Sequence, residues 1–93
     1  MESPSAAITT MEQRYKYALS LLVEQKYIIA IKEFESIINT APDSEYAEVS
    51  QINIGRTYFL NGDYKRALKA YEKVLEKYKA TKKKEEIHER EYQ

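Results

Sequence analysis

Few residues of this 93-residue chain have the types and spacing that catalysis needs. The single histidine, His88, lies in a stretch of Lys and Glu with no Cys and no second His, so neither a zinc site nor an activated nucleophile can be built around it. None of the serines has a plausible base nearby in a packed site. Glu33 and Glu35 fall on different faces of a helix, because residues two apart do not face each other, so they do not form an acid–base pair. The two glycines, Gly55 and Gly62, are too few for a phosphate-cradling loop. Lys82-Lys83-Lys84 is a basic cluster, but Glu85-Glu86 follows at once, whereas nucleic-acid and membrane-surface tracts are longer and unneutralised. Nine tyrosines invite comparison with a base-stacking platform. Tyr17, Tyr27, Tyr58, Tyr64 and Tyr71 recur at helical spacing, however, and are expected to fill a core. The reading is a non-enzyme with no catalytic, cofactor-binding or metal-ligating residues and no nucleic-acid partner.

What must hold such a chain together is helix packing. Residues 11–80 carry the ordered-looking pattern, enough for one small domain of marginal stability. The absence of Cys removes disulfides. No apolar run reaches the ~18 residues of a membrane span. Net charge is zero but uneven: residues 1–64 hold five Lys/Arg and nine Asp/Glu, and residues 65–93 hold ten and six. The two portions, net −4 and +4, offer an acidic partner or the acidic part of a second copy a place to bind.

The chain repeats itself after 37 residues: Tyr27, Ala30, Ile31, Phe34 and Ile38 return as Tyr64, Ala67, Leu68, Tyr71 and Leu75. A spacing of Tyr-x2-Ala-hydrophobic-x2-aromatic-x3-aliphatic has the period of a helix. Residues 1–9 read as a disordered lead-in. Thr10 with Gln13 forms a capping-box pattern for a helix from about Thr10 to Gln25, with Tyr17, Ala18, Leu21 and Leu22 as its inner stripe. Gln25-Lys26 corresponds to the strong turn Asn61-Gly62-Asp63, so a turn is expected at both. Further helices are expected over Tyr27 to Thr40, from Glu45 to Leu60 after the stop at Ala41-Pro42 and a cap from Asp43 or Ser44, and from Tyr64 onward. Residues 81–93 form a charged extension, either continued helix or disorder.

These hairpins resemble the tetratricopeptide repeat, whose pattern is aromatic-x2-Leu-Gly-x2-Tyr in one helix and Ala-x3-Phe with a late Pro in the next. The first repeat, residues 10–41, supplies Arg14, Tyr17, Ala18 and Leu21, then Ala30 and Phe34, with Pro42 following. The second, residues 44–80, supplies Gln51, Ile54, Gly55 and Tyr58, then Ala67 and Tyr71. Arg14 and Gln51 stand where the family has Trp, and Lys79 replaces the second Pro. The resemblance implies an all-α fold: two helix-turn-helix hairpins stacked as a short right-handed α-solenoid, with an extended charged C-terminal helix. It also implies a module that binds other proteins. The usual repeat is 34 residues; the three extra ones here are expected to lengthen the start of the third helix. Gly55 is expected to lie where a Cβ would meet a neighbouring helix.

In stacked hairpins the first helix of each repeat lines the concave side. The residues left over from the core stripes there are Tyr15, Leu19, Leu22 and Val23 on the first helix, and Val49, Ile52, Arg56, Phe59 and Leu60 on the third. The mostly apolar surplus suits an amphipathic helix or apolar segment of a partner. Co-chaperones of this family clamp acidic tails with Lys and Asn on the first helices. The matching places here hold Tyr15 and Leu19, with Asn53 the one match, so no such clamp is expected. Ile28 and Ile29 form a second apolar patch where the other repeat has Lys65 and Arg66.

Two alternatives accompany the adaptor reading. The apolar faces could join two copies in a homodimer, or they could be the cut ends of a longer repeat array. The linker Pro42-x-Ser44-x-Tyr46 resembles the longer link of bacterial envelope tetratricopeptide proteins, such as the lipoprotein of the outer-membrane protein assembly machine and the periplasmic factor that coordinates cell-wall synthesis with Tol-Pal constriction. A complete chain without a leader segment suits the cytoplasm, and a piece of a longer one suits the periplasm or envelope.

Overall fold

The structure, a computed structural model, describes residues 10–92. The lead-in at residues 1–9 lies outside the described residues. Four helices follow one another: α1 (Met11–Val23), α2 (Tyr27–Thr40), α3 (Glu45–Leu60) and α4 (Tyr64–Tyr92). There is no strand among the described residues. α1 packs on α2, α2 on α3 and α3 on α4, so the two hairpins stack in order.

Local chemistry sets the ends of these helices. The Thr10 hydroxyl accepts the Gln13 backbone N–H at 3.1 Å and the Ser44 hydroxyl accepts that of Ala47 at 3.1 Å, each satisfying an otherwise orphaned donor. Asp63 does the same for Arg66 at 3.3 Å. α3 is longer than α1, 16 residues against 13, and its extra turn lies at its start. The three residues beyond the usual period fall there. α4 runs unbroken through the charged region 81–92, where no Gly or Pro interrupts it.

α1 stops at Val23, two residues before the expected Gln25. Its end is stapled by two backbone bonds, Lys26 N–H to Leu21 C=O at 2.9 Å and Gln25 N–H to Leu22 C=O at 3.0 Å. The end of α3 repeats them through Asp63 to Tyr58 and Gly62 to Phe59. This double bond needs a left-handed residue, which is Gly62 (φ 80°) in one hairpin and Gln25 (φ 63°) in the other. A side chain in that region costs about 1–2 kcal/mol. Gln25→Gly is therefore expected to stabilise the chain by about 0.5–1 kcal/mol, after the added freedom of the unfolded state is subtracted, and urea titration will show the gain.

The core is uneven. Ala18, Leu21, Leu22, Ala30, Ile31, Phe34, Ile54 and Ala70 form one buried cluster, flanked by Tyr15, Tyr17, Leu19, Tyr27, Ile38 and Tyr58. Six of its eight buried residues come from the first hairpin. Arg14 and Gln51, which stand where the family has Trp, tie each hairpin with hydrogen bonds instead. The Arg14 guanidinium donates to Ser36 Oγ and, at 3.3 Å, to Thr40 Oγ1. The Gln51 amide donates to the Ala70 carbonyl at 3.2 Å. Ser50 Oγ is buried without a hydrogen-bond partner. Ser50→Ala is expected to raise stability by about 1 kcal/mol, read as a higher midpoint in urea, because it removes an orphaned hydroxyl at little loss of packing.

Two expectations about the core need correction. Tyr64 is 64% exposed and Tyr71 40%, although their counterparts Tyr27 and Phe34 are half-buried and buried. The reason is positional: α3 covers the outer face of α2, and no described helix covers that of α4. The same sequence pattern therefore yields a core residue in one hairpin and a surface residue in the other.

Candidate protein-docking face

The expected groove residues occupy matching places in the two hairpins. A shift of 37 carries Tyr15, Leu19, Leu22 and Val23 onto Ile52, Arg56, Phe59 and Leu60. On α3, Val49, Ile52, Arg56 and Phe59 fall at spacings of three and four, a single helix face, and all are exposed. Leu60 is half-exposed beside them, and the Phe59 ring leans on Tyr64 with centroids 5.1 Å apart. Val23, at the end of α1, is 81% exposed.

The α1 contribution is otherwise smaller than expected. Leu22 is 8% exposed and belongs to the core cluster, so it is a packing residue and not a groove residue. It is the penultimate residue of α1 and packs among Leu21, Ala30, Ile31 and Phe34 in that cluster. Leu19 is half-buried against the core. Tyr15 is held in an aromatic group, 6.0 Å from Phe34 and 5.9 Å from Tyr46 by ring centroids. Its hydroxyl accepts a 2.7 Å hydrogen bond from the Asn53 amide. Asn53 also donates to the Val49 carbonyl at 3.0 Å and is buried. The one residue matching a co-chaperone clamp is thus committed to joining α1 to α3. Arg56 stands alone among the apolar side chains as a cation. Ile28 and Ile29 are exposed at the start of α2.

Two features were not expected from the sequence. A cleft of about 370 Å³ lies between α2 and α4 above α3, with Glu35, Asn39 and Tyr58 facing Arg66, Lys69 and Lys73. The three cations stand at spacings of three and four, a signal visible in the sequence. The second is a run of exposed apolar residues on α4: Tyr64, Leu68, Tyr71, Leu75 and Tyr78. Its spacing is also legible, but periodicity does not say whether a stripe is covered.

No group of three His, Cys, Asp or Glu able to hold a metal occurs among the described residues. No described helix is long and apolar enough to cross a membrane. His88 lies on the exposed distal part of α4, outside the docking face.

A family model, the tetratricopeptide repeat, matches residues 7–80. No curated protein and no solved structure matches the chain. Repeats of this kind are protein-interaction modules and are typically not enzymes. The match spans both hairpins, and the hairpins keep one register and one set of turn bonds, so the chain belongs to the tetratricopeptide repeat family.

Proposed function

We propose that this chain is an adaptor that binds an amphipathic or apolar segment of a protein partner across the first-helix face. One observation carries the reading: Val49, Ile52, Phe59 and Leu60 are exposed together on α3, flanked by Val23 and Leu19 of α1. A helix face turned to water normally carries polar residues there. The five exposed side chains Val23, Val49, Ile52, Phe59 and Leu60, at ~70–100 Å² each, give on the order of 350–500 Å², the size at which an exposed patch marks a binding surface. At about 25 cal/mol per Å² that is ~9–13 kcal/mol gross, most of it offset by the entropy of association. Arg56 within the patch favours a segment that also brings a carboxylate.

The double variant Ile52→Glu, Leu60→Glu tests this, since both side chains are half-exposed and neither belongs to the core cluster. Helical circular dichroism is expected to be unchanged. Proteins that the parent chain captures from its native host are expected to be lost. Capture that survives both substitutions assigns binding to another face.

A further inference from the structure

The apolar run on α4 has an internal control. A shift of 37 carries Ile31, Phe34 and Ile38 onto Leu68, Tyr71 and Leu75. In the first hairpin α3 lies over this stripe, and Ile31 and Phe34 are buried. In the second hairpin the same positions are exposed, together with Tyr64 and Tyr78, at 40 to 64%. No described helix covers that face.

The face itself indicates what covers it. Tyr64, Leu68, Tyr71, Leu75 and Tyr78 are spaced four, three, four and three, the seam of helices that pair by knobs into holes. The seam also reads the same in both directions about Tyr71: Tyr-Leu-Tyr-Leu-Tyr. Turned end for end, it sets Tyr64 against Tyr78 and Leu68 against Leu75, with Tyr71 meeting itself. A surface of that kind is complementary to its own copy across a two-fold axis.

We propose that a second copy of this chain covers this face, through an antiparallel α4–α4 pair centred at Tyr71. Charge selects the direction. Parallel helices would lay Lys79, Lys82, Lys83 and Lys84 of one copy beside the same four of the other, whereas antiparallel ones send them to opposite ends. Helix dipoles favour the same choice. Head-to-tail stacking is opposed by the other end of the solenoid. The buried α3 residues Ala47, Ser50 and Thr57 correspond to Thr10, Gln13 and Ser20 of α1, which are polar and exposed. The size is adequate. At these exposures the five side chains leave on the order of 500 Å² per copy, so the pair buries about 1,000 Å² or more, the low end of a stable interface. Dissociation is expected in the micromolar range.

Sedimentation equilibrium of the full chain reads this directly. The apparent mass is expected to rise from the 10.9 kDa of one copy towards twice that value with concentration. Leu68→Glu with Leu75→Glu is expected to leave one copy at every concentration while keeping the helical spectrum. Direction is read by cysteine cross-linking, since the chain has no Cys of its own. Glu72→Cys, next to the two-fold axis, is expected to form a disulfide-linked dimer. Lys65→Cys is not, because its mates are separated by ~18 Å or more along the helices. Equal cross-linking at both positions overturns the antiparallel arrangement. A single copy at ~100 µM, well above a micromolar dissociation constant, overturns the pairing itself. A dimer that survives Leu68→Glu, Leu75→Glu but is lost in Ile52→Glu, Leu60→Glu places self-association on the first-helix face and overturns it as well. Loss of partner capture without loss of the dimer leaves this pairing standing and tests only the docking face.

Discussion

Gly55→Leu is expected to remove most of the domain's stability. Gly55 is buried in α3, and a Cβ there would lie 2.6 Å from Cε1, 2.7 Å from Cδ1 and 2.9 Å from Cζ of Tyr71. Contacts that short require the ring to leave, because the Gly55 backbone is fixed within a helix that packs on both sides. The ring's way out is into solvent, since Tyr71 is already 40% exposed. Leaving uncovers the α3 surface that the ring shields, and a leucine brings three further carbons into the same space. Overpacking of this kind costs about 1–3 kcal/mol, and the loss of the Tyr71 contact adds to it. Exchanging glycine for a better helix former returns only about 1 kcal/mol. A two-hairpin domain has a few kcal/mol in total, so the sum removes most of it. Circular dichroism in urea checks the result, and a midpoint equal to that of the parent refutes the packing assigned here. The double variant Gly55→Leu, Tyr71→Ala is expected to recover part of the loss, because the two side chains contend for one space. Additive effects in that cycle would show that they do not meet.

Phe34→Ala is expected to cost about 3–5 kcal/mol, and its counterpart Tyr71→Ala only about 1–2 kcal/mol. The two residues hold the same place in their repeats and differ in cover. Phe34 is fully buried (0% exposed), with Tyr15 at 6.0 Å between ring centroids, so truncation opens a cavity that neighbouring helices cannot collapse. Tyr71 loses one buried ring face and leaves no enclosed void. The comparison belongs at low protein concentration, where single copies prevail. If a second copy covers α4, the cost of Tyr71→Ala grows with concentration while that of Phe34→Ala stays fixed. Equal costs in dilute solution would mean that the second hairpin is as well covered as the first.

Much of the architecture was legible along the chain, for reasons that differ from place to place. The starts at Glu45 and Tyr64 were expected and found, because capping and proline effects act within a few residues. The start at Tyr27, whose preceding Lys26 makes no side-chain cap, was expected only from the parallel with Asn61-Gly62-Asp63. The end of α1 was placed two residues late. Its left-handed residue is Gln25, which carries no signature for that conformation, and only the parallel with Gly62 pointed to it. The exposure of the residues on the proposed docking face was partly legible. Ile52, Phe59 and Leu60 were expected on the surface and are exposed. Leu22 fitted both the inner stripe and the groove, and helical spacing alone could not divide the two.

What the sequence determined by itself was the unit: two helix-turn-helix hairpins in one register, the small residues Ala18, Gly55, Ala30 and Ala67 beside large ones, and the membership that follows. Periodicity and capping are local, so they survive translation along the chain unchanged. What only the tertiary structure decided was the fate of identical positions. Phe34 is enclosed and Tyr71 is not, Ile31 is core and Leu68 is surface, because burial depends on the next layer of the stack and not on the residue or its neighbours in sequence. A stacked repeat has two ends, and an end is a property of the assembled solenoid that no single repeat encodes.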